Sequence, residues 1–201
     1  MTSRSLLRSL PLAAFALFWS ACASGPAPRD HFYRIDVAKP QALAEPRIHG
    51  TLEVERLQVE ALSEGRRILY RSNDRPGEVA QYAYHQWSDP PSILLRDRLV
   101  DYLRAAGVAD AVVTPAFRVD ADYVVSGRVL RFEQLLEADG SRVVVELELV
   151  LTRNRGRELL FLGNYLEERA AGTGAVNDAV QAFDEAVAAI FARFVAEMPG
   201  V

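Results

Sequence analysis

The sequence is poor in the residues that build thiol and metal chemistry. Its 201 residues include one cysteine, Cys22, and three histidines, which lie far apart without the spacing of metal ligands. One cysteine cannot form an intramolecular disulfide, so the fold must be stabilised by its core. The motifs G-x-S-x-G, H-E-x-x-H and C-x-x-C are missing from the sequence. We therefore predict no metal, no cofactor and no enzyme activity.

An excess of positive charge is also missing. The chain has 23 lysine and arginine residues against 27 aspartate and glutamate residues, a net charge of −4, and Lys39 is its only lysine. Nucleic-acid binding needs a basic stripe, and adhesion to anionic lipid needs a polybasic segment. We therefore expect no nucleic-acid partner and no electrostatic membrane attachment. The hydrophobic fraction of 50% indicates a globular chain with a proper core.

The N-terminal apolar run, residues 10–22, is too short to span a bilayer. Arg4 and Arg8 precede it, and small residues end it. A positive start, a short apolar run and small residues are typical of a secretory signal peptide. We therefore predict a signal peptide over residues 1–21 and an exported mature chain.

The end of this run resembles a bacterial lipobox. Ser20 and Ala21 stand directly before Cys22, although Trp19 replaces the usual leucine. In a lipobox the thiol receives a diacylglyceryl lipid, with acyl chains such as palmitate, and becomes the first mature residue. An ordinary signal peptide followed by an incidental cysteine is the alternative. A lone cysteine in an exported chain favours lipidation.

Residues 22–31 are predicted to form a lipidated tether, followed by one domain over residues 32–201. Residues 23–30 are rich in Gly, Pro and Ser and extend at most about 25–30 Å. Ala23, rather than aspartate, follows the cysteine, which resembles the outer-membrane sorting pattern of enterobacteria-like lipoproteins. We expect a lipid-anchored, periplasm-facing protein, at the outer membrane in preference to the inner membrane.

Short β-branched and aromatic runs predict many strands in the domain. The runs are residues 31–37, 48–60, 67–71, 111–114, 123–132, 143–151 and 160–166. The alternation in 48–60 slips by one residue, which indicates a bulge or two short strands. Turns at 138–140 and 154–156 join the last three runs into a predicted antiparallel meander.

Two segments show helical periodicity. Leu95, Leu99 and Leu103 form one stripe after Asp89, the predicted N-cap, and Gly107 ends that helix. The second segment, 176–195, keeps an apolar stripe for about five turns. The expected fold is an α+β two-layer domain, with a largely antiparallel sheet and two main helices packed on one face.

An ordered set of short motifs lies behind the lipobox. The motifs are Tyr33-Arg34-Ile35-Asp36, Leu69-Tyr70-Arg71, residues 84–91 (YHQWSDPP), and a strand with Asp122-Tyr123, Gly127-Arg128-Val129 and Phe132-Glu133. In this order, with an amphipathic helix before the last strand, they resemble the ABC-type transport auxiliary lipoprotein family, the PqiC-like proteins. The resemblance covers residues 31–197.

The resemblance implies a non-catalytic role. Members of this family accompany an ABC permease and ATPase and a periplasmic substrate-binding protein of the MCE type. These systems move lipids between the inner and outer membranes or take up hydrophobic compounds. Some relatives form rings, so a homo-oligomer is a further expectation. The alternative is an envelope lipoprotein that regulates cell-wall synthesis through protein contacts.

Five side chains are candidates for partner contacts. Tyr82 and Tyr84 belong to an aromatic cluster near Trp87, and exposed aromatic residues often mark interfaces. Arg153, Arg155 and Arg157 lie at one predicted hairpin tip, where they could contact lipid phosphates or an acidic partner. Trp87 itself is expected in the core.

Other polar groups have simpler interpretations. His85 precedes a helix start, and Asp120 and Asp122 precede a strand, so both are expected to be structural. Glu146 and Glu148 are expected to be solvated carboxylates on one sheet face. The glycines at 172 and 174 are expected to form a flexible joint before the last helix.

Replacing Cys22 with serine should release the protein from the membrane. Serine cannot form the thioether bond to the lipid, and no polybasic segment replaces it. We expect Cys22→Ser in the soluble fraction after membranes are sedimented from lysed cells, whereas the parent chain sediments with them. Equal membrane association of both chains would contradict the prediction.

Overall fold

The structure is a computed structural model that describes residues 28–201. The predicted signal peptide and Cys22 lie outside the described residues. The strands are β1 His31–Tyr33, β2 Ile48–Val54, β3 Gln58–Val59, β4 Arg67–Ser72, β5 Ala80–Trp87, β6 Ala109–Val113, β7 Tyr123–Glu137, β8 Gly140–Arg153 and β9 Glu158–Ala170. The helices are α1 Pro91–Ala106 and α2 Val176–Glu197. Short 3-10 turns cover Ala61–Glu64 and Pro115–Phe117.

The long strands β7, β8 and β9 form an antiparallel meander. β8 pairs with β7 from Tyr123↔Arg153 to Glu137↔Gly140, and with β9 along nearly its whole length. The connections are tight turns at residues 138–139 and 154–157. This part of the fold confirms the prediction from alternating residues, because each pairing joins consecutive strands through a short hairpin.

The other side of β7 divides the sheet into two branches. β2 pairs with the start of β7, β3 with its middle and β4 with its last third. β6 extends the β2 branch, while β5 and then β1 extend the β4 branch. The slip in the 48–60 pattern therefore corresponds to two short strands that meet one long strand at different points.

The sheet is mixed, which corrects the expectation of a largely antiparallel sheet. β2, β3 and β4 all run parallel to β7, and the β1–β5 and β2–β6 pairs are parallel as well. Parallel neighbours need long connections, so their pairing leaves no hairpin signal in the sequence. The α+β class with two helices is confirmed.

The two ends of α1 illustrate different capping chemistry. Gly107 adopts a left-handed conformation with φ 65°, and its N–H donates to the carbonyls of Arg104 and Leu103. Glycine tolerates this conformation without a Cβ clash, as predicted. The prediction of an Asp89 cap is wrong, because the N-cap position is Pro90 and it has no side-chain cap. Pro91 occupies the first turn, where a missing N–H costs little.

Both helices bury their apolar residues in one core cluster with the inner face of the sheet. Phe183 of α2 lies 4.5 Å from Phe132 of β7 and 5.3 Å from Trp87 of β5, measured between ring centroids. Tyr102 of α1 meets Phe191 of α2 at 5.6 Å. Trp87 is 1% exposed, which confirms its predicted place in the core.

Phe183→Ala should destabilise the protein by about 3–5 kcal/mol, because it opens a cavity between Phe132 and Trp87. The measurement is the free energy of unfolding from a urea titration. Phe117→Ala serves as the matched control, since Phe117 is 61% exposed and its removal leaves no internal cavity. A loss below about 0.5 kcal/mol for Phe183→Ala would contradict this assignment of the core.

Candidate functional site

The predicted arginine cluster lies at the β8–β9 hairpin. Arg153 ends β8 and forms a salt bridge with Glu158, the first residue of β9. Arg155 and Arg157 lie in the turn and are exposed, and Arg157 has a left-handed backbone with φ 52°. Two cationic side chains therefore project from the tip of the hairpin.

A second loop, residues 114–122, packs beside this hairpin. The Asn154 side-chain amide donates to the Ala121 carbonyl at 2.8 Å, and the Asn154 backbone N–H donates to the Asp122 carbonyl at 2.9 Å. The loop presents Phe117 and Val119, which are 61% and 48% exposed. The hydrogen bonds of Asn154 therefore place an apolar loop next to a cationic turn.

We call these residues the distal loop surface: Phe117, Arg118, Val119, Arg155 and Arg157. All five side chains are exposed. Aromatic residues and arginine are the residue types that contribute most binding energy at protein interfaces. A cationic rim beside exposed apolar residues fits a partner with an acidic rim and an apolar centre.

Tyr82 and Tyr84 lie on β5 and have different environments. The Tyr82 hydroxyl donates to Gln134 Oε1 at 2.9 Å, and its ring lies 4.5 Å from the Tyr70 ring. Burial, with a smaller effect of Tyr70, raises the pKa of Tyr82 to about 12. Tyr84 is 44% exposed. Tyr84 therefore offers an accessible ring, whereas the Tyr82 hydroxyl has an internal partner.

The pairing of β1 with β5 brings two histidines together that are far apart in sequence. His31 opposes His85, with ring centroids 5.1 Å apart, and the Tyr33 hydroxyl lies 2.8 Å from His85 Nδ1. Burial, followed by the nearby His31, lowers the pKa of His85. The His85 contacts agree with a structural role. Sequence reasoning missed the histidine pair, because a three-residue strand gives no signal of its partner.

The two candidate regions lie at opposite ends of β7. Arg153 opposes Tyr123 at the start of β7, whereas Tyr82 bonds Gln134 near its end. Eleven residues of extended strand separate these two levels by about 36 Å. The five sequence candidates therefore belong to two separate surfaces.

The remaining sequence candidates have local structural partners. Asp122 Oδ2 accepts the Thr51 backbone N–H at 3.0 Å, which ties the start of β7 to β2. Thr173 lies between the two glycines of the 172–174 loop, and its hydroxyl donates a hydrogen bond to the Asp178 carboxylate at 2.9 Å. Within residues 28–201 no group of three or more His, Cys, Asp or Glu residues could hold a metal ion.

The two glutamates of β8 lie on the outer face of the sheet. Glu148 accepts the Arg128 Nε–H at 2.9 Å, and this hydrogen bond lowers the pKa of Glu148. Glu146 opposes Arg131 of β7 on one side and Leu166 of β9 on the other. Both carboxylates therefore belong to the outer sheet face, as their alternation predicted.

The segment after β1 crosses both helices. The Asp36 backbone N–H donates to Asp184 Oδ1 of α2 at 2.9 Å, and the Leu43 N–H donates to the Ala106 carbonyl of α1 at 2.9 Å. Between them a surface groove of about 540 Å³ has Lys39, Arg98 and Asp101 among its lining residues. Val37, Pro40 and Tyr102 also line this groove, so it combines charged and apolar side chains at the surface.

Asp184 holds this segment with an unusual carboxylate. Burial raises the pKa of Asp184 to about 6, with further contributions from Asp36 and Glu185, while the Asp36 N–H opposes the shift. The ionised carboxylate is therefore accommodated at neutral pH at some cost in stability.

No helix within residues 28–201 is both long enough and apolar enough to cross a membrane. The chain enters the described structure at residue 28 and reaches β1, which pairs with β5. The surface around β1 and Tyr84 is therefore the part of the fold nearest in sequence to Cys22.

Comparison with known proteins identifies a family. The family model described as "ABC-type transport auxiliary lipoprotein component" matches residues 33–195. Protein XCC0632 from Xanthomonas campestris has a similar crystal structure, with 21% identity, a TM-score of 0.73, and coverage of 82% of this chain and 92% of that one. An uncharacterized protein shares 18% identity and a TM-score of 0.65 over 85% of this chain and 99% of its own. No curated protein matches the chain.

Asp184→Asn should stabilise the protein at pH 7 but not at pH 4. Between about pH 4 and 6 the folded chain keeps the Asp184 proton and the unfolded chain loses it, so this group lowers stability as pH rises. Because Asp184 is half-buried, we expect a gain of about 1–2 kcal/mol at pH 7. Urea titrations at both pH values measure it.

Asp139→Asn in the β7–β8 turn is the control, because Asp139 is exposed and is not among the charges that raise the pKa of Asp184. We expect it to shift the unfolding free energy by less than about 0.5 kcal/mol at either pH. An equal change for Asp184→Asn at pH 4 and pH 7 would show that protonation of Asp184 is not responsible.

Proposed function

This chain belongs to the ABC-type transport auxiliary lipoprotein family, and we propose that it is a non-catalytic auxiliary subunit of an MCE-type transport system. Its partners would be a periplasmic MCE-type protein and an ABC permease and ATPase. The cargo would be lipid moved between the two membranes or another hydrophobic compound. The observation that carries this proposal is the family match, which spans residues 33–195 and so nearly the whole described structure.

The proposed anchor is a lipid on Cys22. Only residues 23–27 separate Cys22 from residue 28, and this connection can extend at most about 20 Å. Such a short connection would keep β1 and the adjoining β5 near the bilayer. Ala23 after the cysteine favours the outer membrane, with the folded domain in the periplasm.

The proposed contact with the transport partner is the distal loop surface. It presents Phe117 and Val119 beside the exposed cations Arg155 and Arg157. This combination supports docking of an acidic protein surface, because the charges would steer the encounter and the apolar residues would be buried. Arg153 is part of the same hairpin, and its pairing with Glu158 holds the hairpin ends together.

Tyr82 and Tyr84 are proposed as a second contact, close to the anchored end of the domain. Tyr84 provides an exposed ring, and the ring of Phe32 on the neighbouring strand β1 is 56% exposed. Tyr82 supports this region through its contact with Tyr70. A partner that spans both surfaces would extend along the sheet for about 36 Å.

A scaffolding role is favoured over direct lipid carriage. The groove between the 36–40 segment and α1 has apolar residues such as Pro40 and Tyr102 in its lining beside charged ones such as Lys39, and it is a surface groove and not an enclosed cavity. Acyl chains leave water completely only in an enclosed apolar cavity. The core inside the sheet is filled by aromatic residues such as Phe132, Phe183 and Phe194.

The proposal predicts that the mature lipoprotein co-purifies with an MCE-type protein in mild detergent. The double charge reversal Arg155→Glu, Arg157→Glu should weaken this association at least about tenfold, because it places acids against an acidic partner. Quantitative pull-down at two salt concentrations measures the change, and higher salt should weaken the parent complex.

Arg75→Glu is the control for the single reversal Arg155→Glu, because both change the net charge by the same amount. Arg75 lies in the β4–β5 turn, is also exposed and carries the same charge, but it is remote from the hairpin. Association that is lost equally in both variants would point to net charge and contradict the distal docking site. No association of the parent chain, together with altered peptidoglycan in a deletion strain, would favour the cell-wall role instead.

A further inference from the structure

The corner of the sheet where the chain enters the fold presents aromatic side chains to solvent. Phe32 of β1 is 56% exposed and opposes Gln86 of β5, and Tyr84 of β5 is 44% exposed. Gln86 precedes Trp87, which points into the core and is 1% exposed, and side chains alternate along a strand. Phe32, Tyr84 and Gln86 therefore point to the outer face of the sheet, which the helices do not cover.

Arginine side chains lie beside these rings. The guanidinium carbon of Arg66 is 5.5 Å from the centroid of the Phe32 ring, which is a cation–π contact. Arg67 of β4 opposes Gln86, and residues directly opposite each other share a face of the sheet. Arg34 directly follows β1 and is exposed. We call these residues the anchor-side surface: Phe32, Arg34, Arg66, Arg67 and Tyr84.

The arginines of the anchor-side surface form no salt bridge with any residue from 28 to 201. Every other arginine within a strand of this range pairs with a glutamate, whereas Arg67 does not. Asp30, Asp36 and Glu64 are near in sequence and exposed, but none of them pairs with these arginines. The positive charge at this corner is therefore available to an anionic partner.

The chain that precedes the described structure leads to the same corner. Cys22 stands ten residues before Phe32, a connection that extends at most about 36 Å. A lipid on Cys22 would keep the bilayer within this distance of the anchor-side surface. A short tether also gives the two surfaces a high effective concentration, so even a weak contact between them would form.

We propose that the anchor-side surface lies against the bilayer that carries the lipid on Cys22, in contact with phospholipid headgroups. The guanidinium groups would donate hydrogen bonds to phosphate oxygens. The rings of Phe32 and Tyr84 would lie between the headgroups and the acyl chains, where aromatic side chains are enriched in membrane proteins. This inference rests on the proposed lipid anchor and names the occupant of the contact at Tyr84.

The proposed contact orients the domain but does not attach it. Electrostatic binding to anionic lipid takes a cluster of about four to eight basic residues, which is more than this surface provides. After the lipid has inserted, however, the contact becomes intramolecular and needs little free energy of its own. The contact is therefore compatible with the expected release of Cys22→Ser from membranes.

Spin labels on the lipid-modified protein test this orientation. The mature lipoprotein is reconstituted in vesicles of phosphatidylethanolamine with phosphatidylglycerol as the minor, anionic component. A nitroxide is attached to Phe32→Cys, Tyr84→Cys or Phe117→Cys, and the lipid on Cys22 blocks the only other thiol. Phe117 is the control, because it is 61% exposed and lies on the distal loop surface.

The measurement compares collisions of each nitroxide with oxygen, which partitions into the bilayer, and with a water-soluble nickel complex. We expect power saturation to give a higher oxygen-to-nickel ratio at positions 32 and 84 than at position 117. The same labels should give equal ratios at all three positions when the lipoprotein is held in lipid-free solution with its lipid removed enzymatically.

Charge reversal tests the role of the arginines. In the Tyr84→Cys chain, Arg66→Glu with Arg67→Glu should lower the ratio at position 84 to that at position 117, because carboxylates are repelled by lipid phosphates. Arg118→Glu with Arg155→Glu changes the net charge equally on the distal loop surface and should leave the ratio at position 84 unchanged. All four arginines are exposed, so we expect unchanged melting temperatures.

The possible failures are distinguishable. Equal ratios at positions 32, 84 and 117 in vesicles would overturn this orientation while the lipid anchor stands, and so would a high ratio at position 84 that survives Arg66→Glu with Arg67→Glu. Shielding of position 84 that appears only after an MCE-type protein is added would assign the contact to that protein instead. A parent chain that does not float with the vesicles in a density gradient would refute the anchor, and the orientation with it.

Discussion

The packing of α2 against the inner face of β7, β8 and β9 is the contact on which the rest of the structure depends. Phe183, Phe191 and Phe194 are completely buried there, and the β8 residues that face them alternate without interruption. Burial of each such side chain contributes roughly 1.5–3 kcal/mol. Because the inner face is covered by helices, the surfaces that residues 28–201 offer to partners are the loops, the sheet edges, the outer sheet face and the exposed sides of the two helices.

Local sequence patterns were sufficient for the meander and the two helices. Apolar residues alternate strictly from Val143 to Leu151 and follow helical spacing from Val176 to Val195. Each period is visible within one short segment and predicts its secondary structure directly. The parallel pairings were not predictable in this way. The meeting of Leu69 with Glu133, or of Leu52 with Tyr123, depends on long connections, and nothing in either strand specifies its partner. The assumption of a largely antiparallel sheet failed for this reason.

The candidate surfaces also combine residues that local sequence predicts with residues whose position depends on contacts between distant segments. The hairpin arginines were visible in the sequence, because a glycine-containing turn separates two alternating runs. Phe117 and Val119 were missed, because their position beside Arg155 is set by the bonds of Asn154 to the 121–122 carbonyls. The outward direction of Phe32 and Arg67 also required the register of their strands with β5. Likewise, no strand period could reveal that His31 and His85 stack.

The short strand β1 has a mechanical consequence. Any load on the proposed lipid anchor enters the folded domain through three paired residues at the sheet's end, and next meets Ile35, which is 1% exposed, and the Asp36–Asp184 hydrogen bond. This segment lies outside the long meander that holds the hairpin. Tension between the bilayer and a bound partner would therefore detach β1 from β5 before it disturbed the β8–β9 hairpin. The connection to the membrane would then lengthen under load while the partner stayed bound.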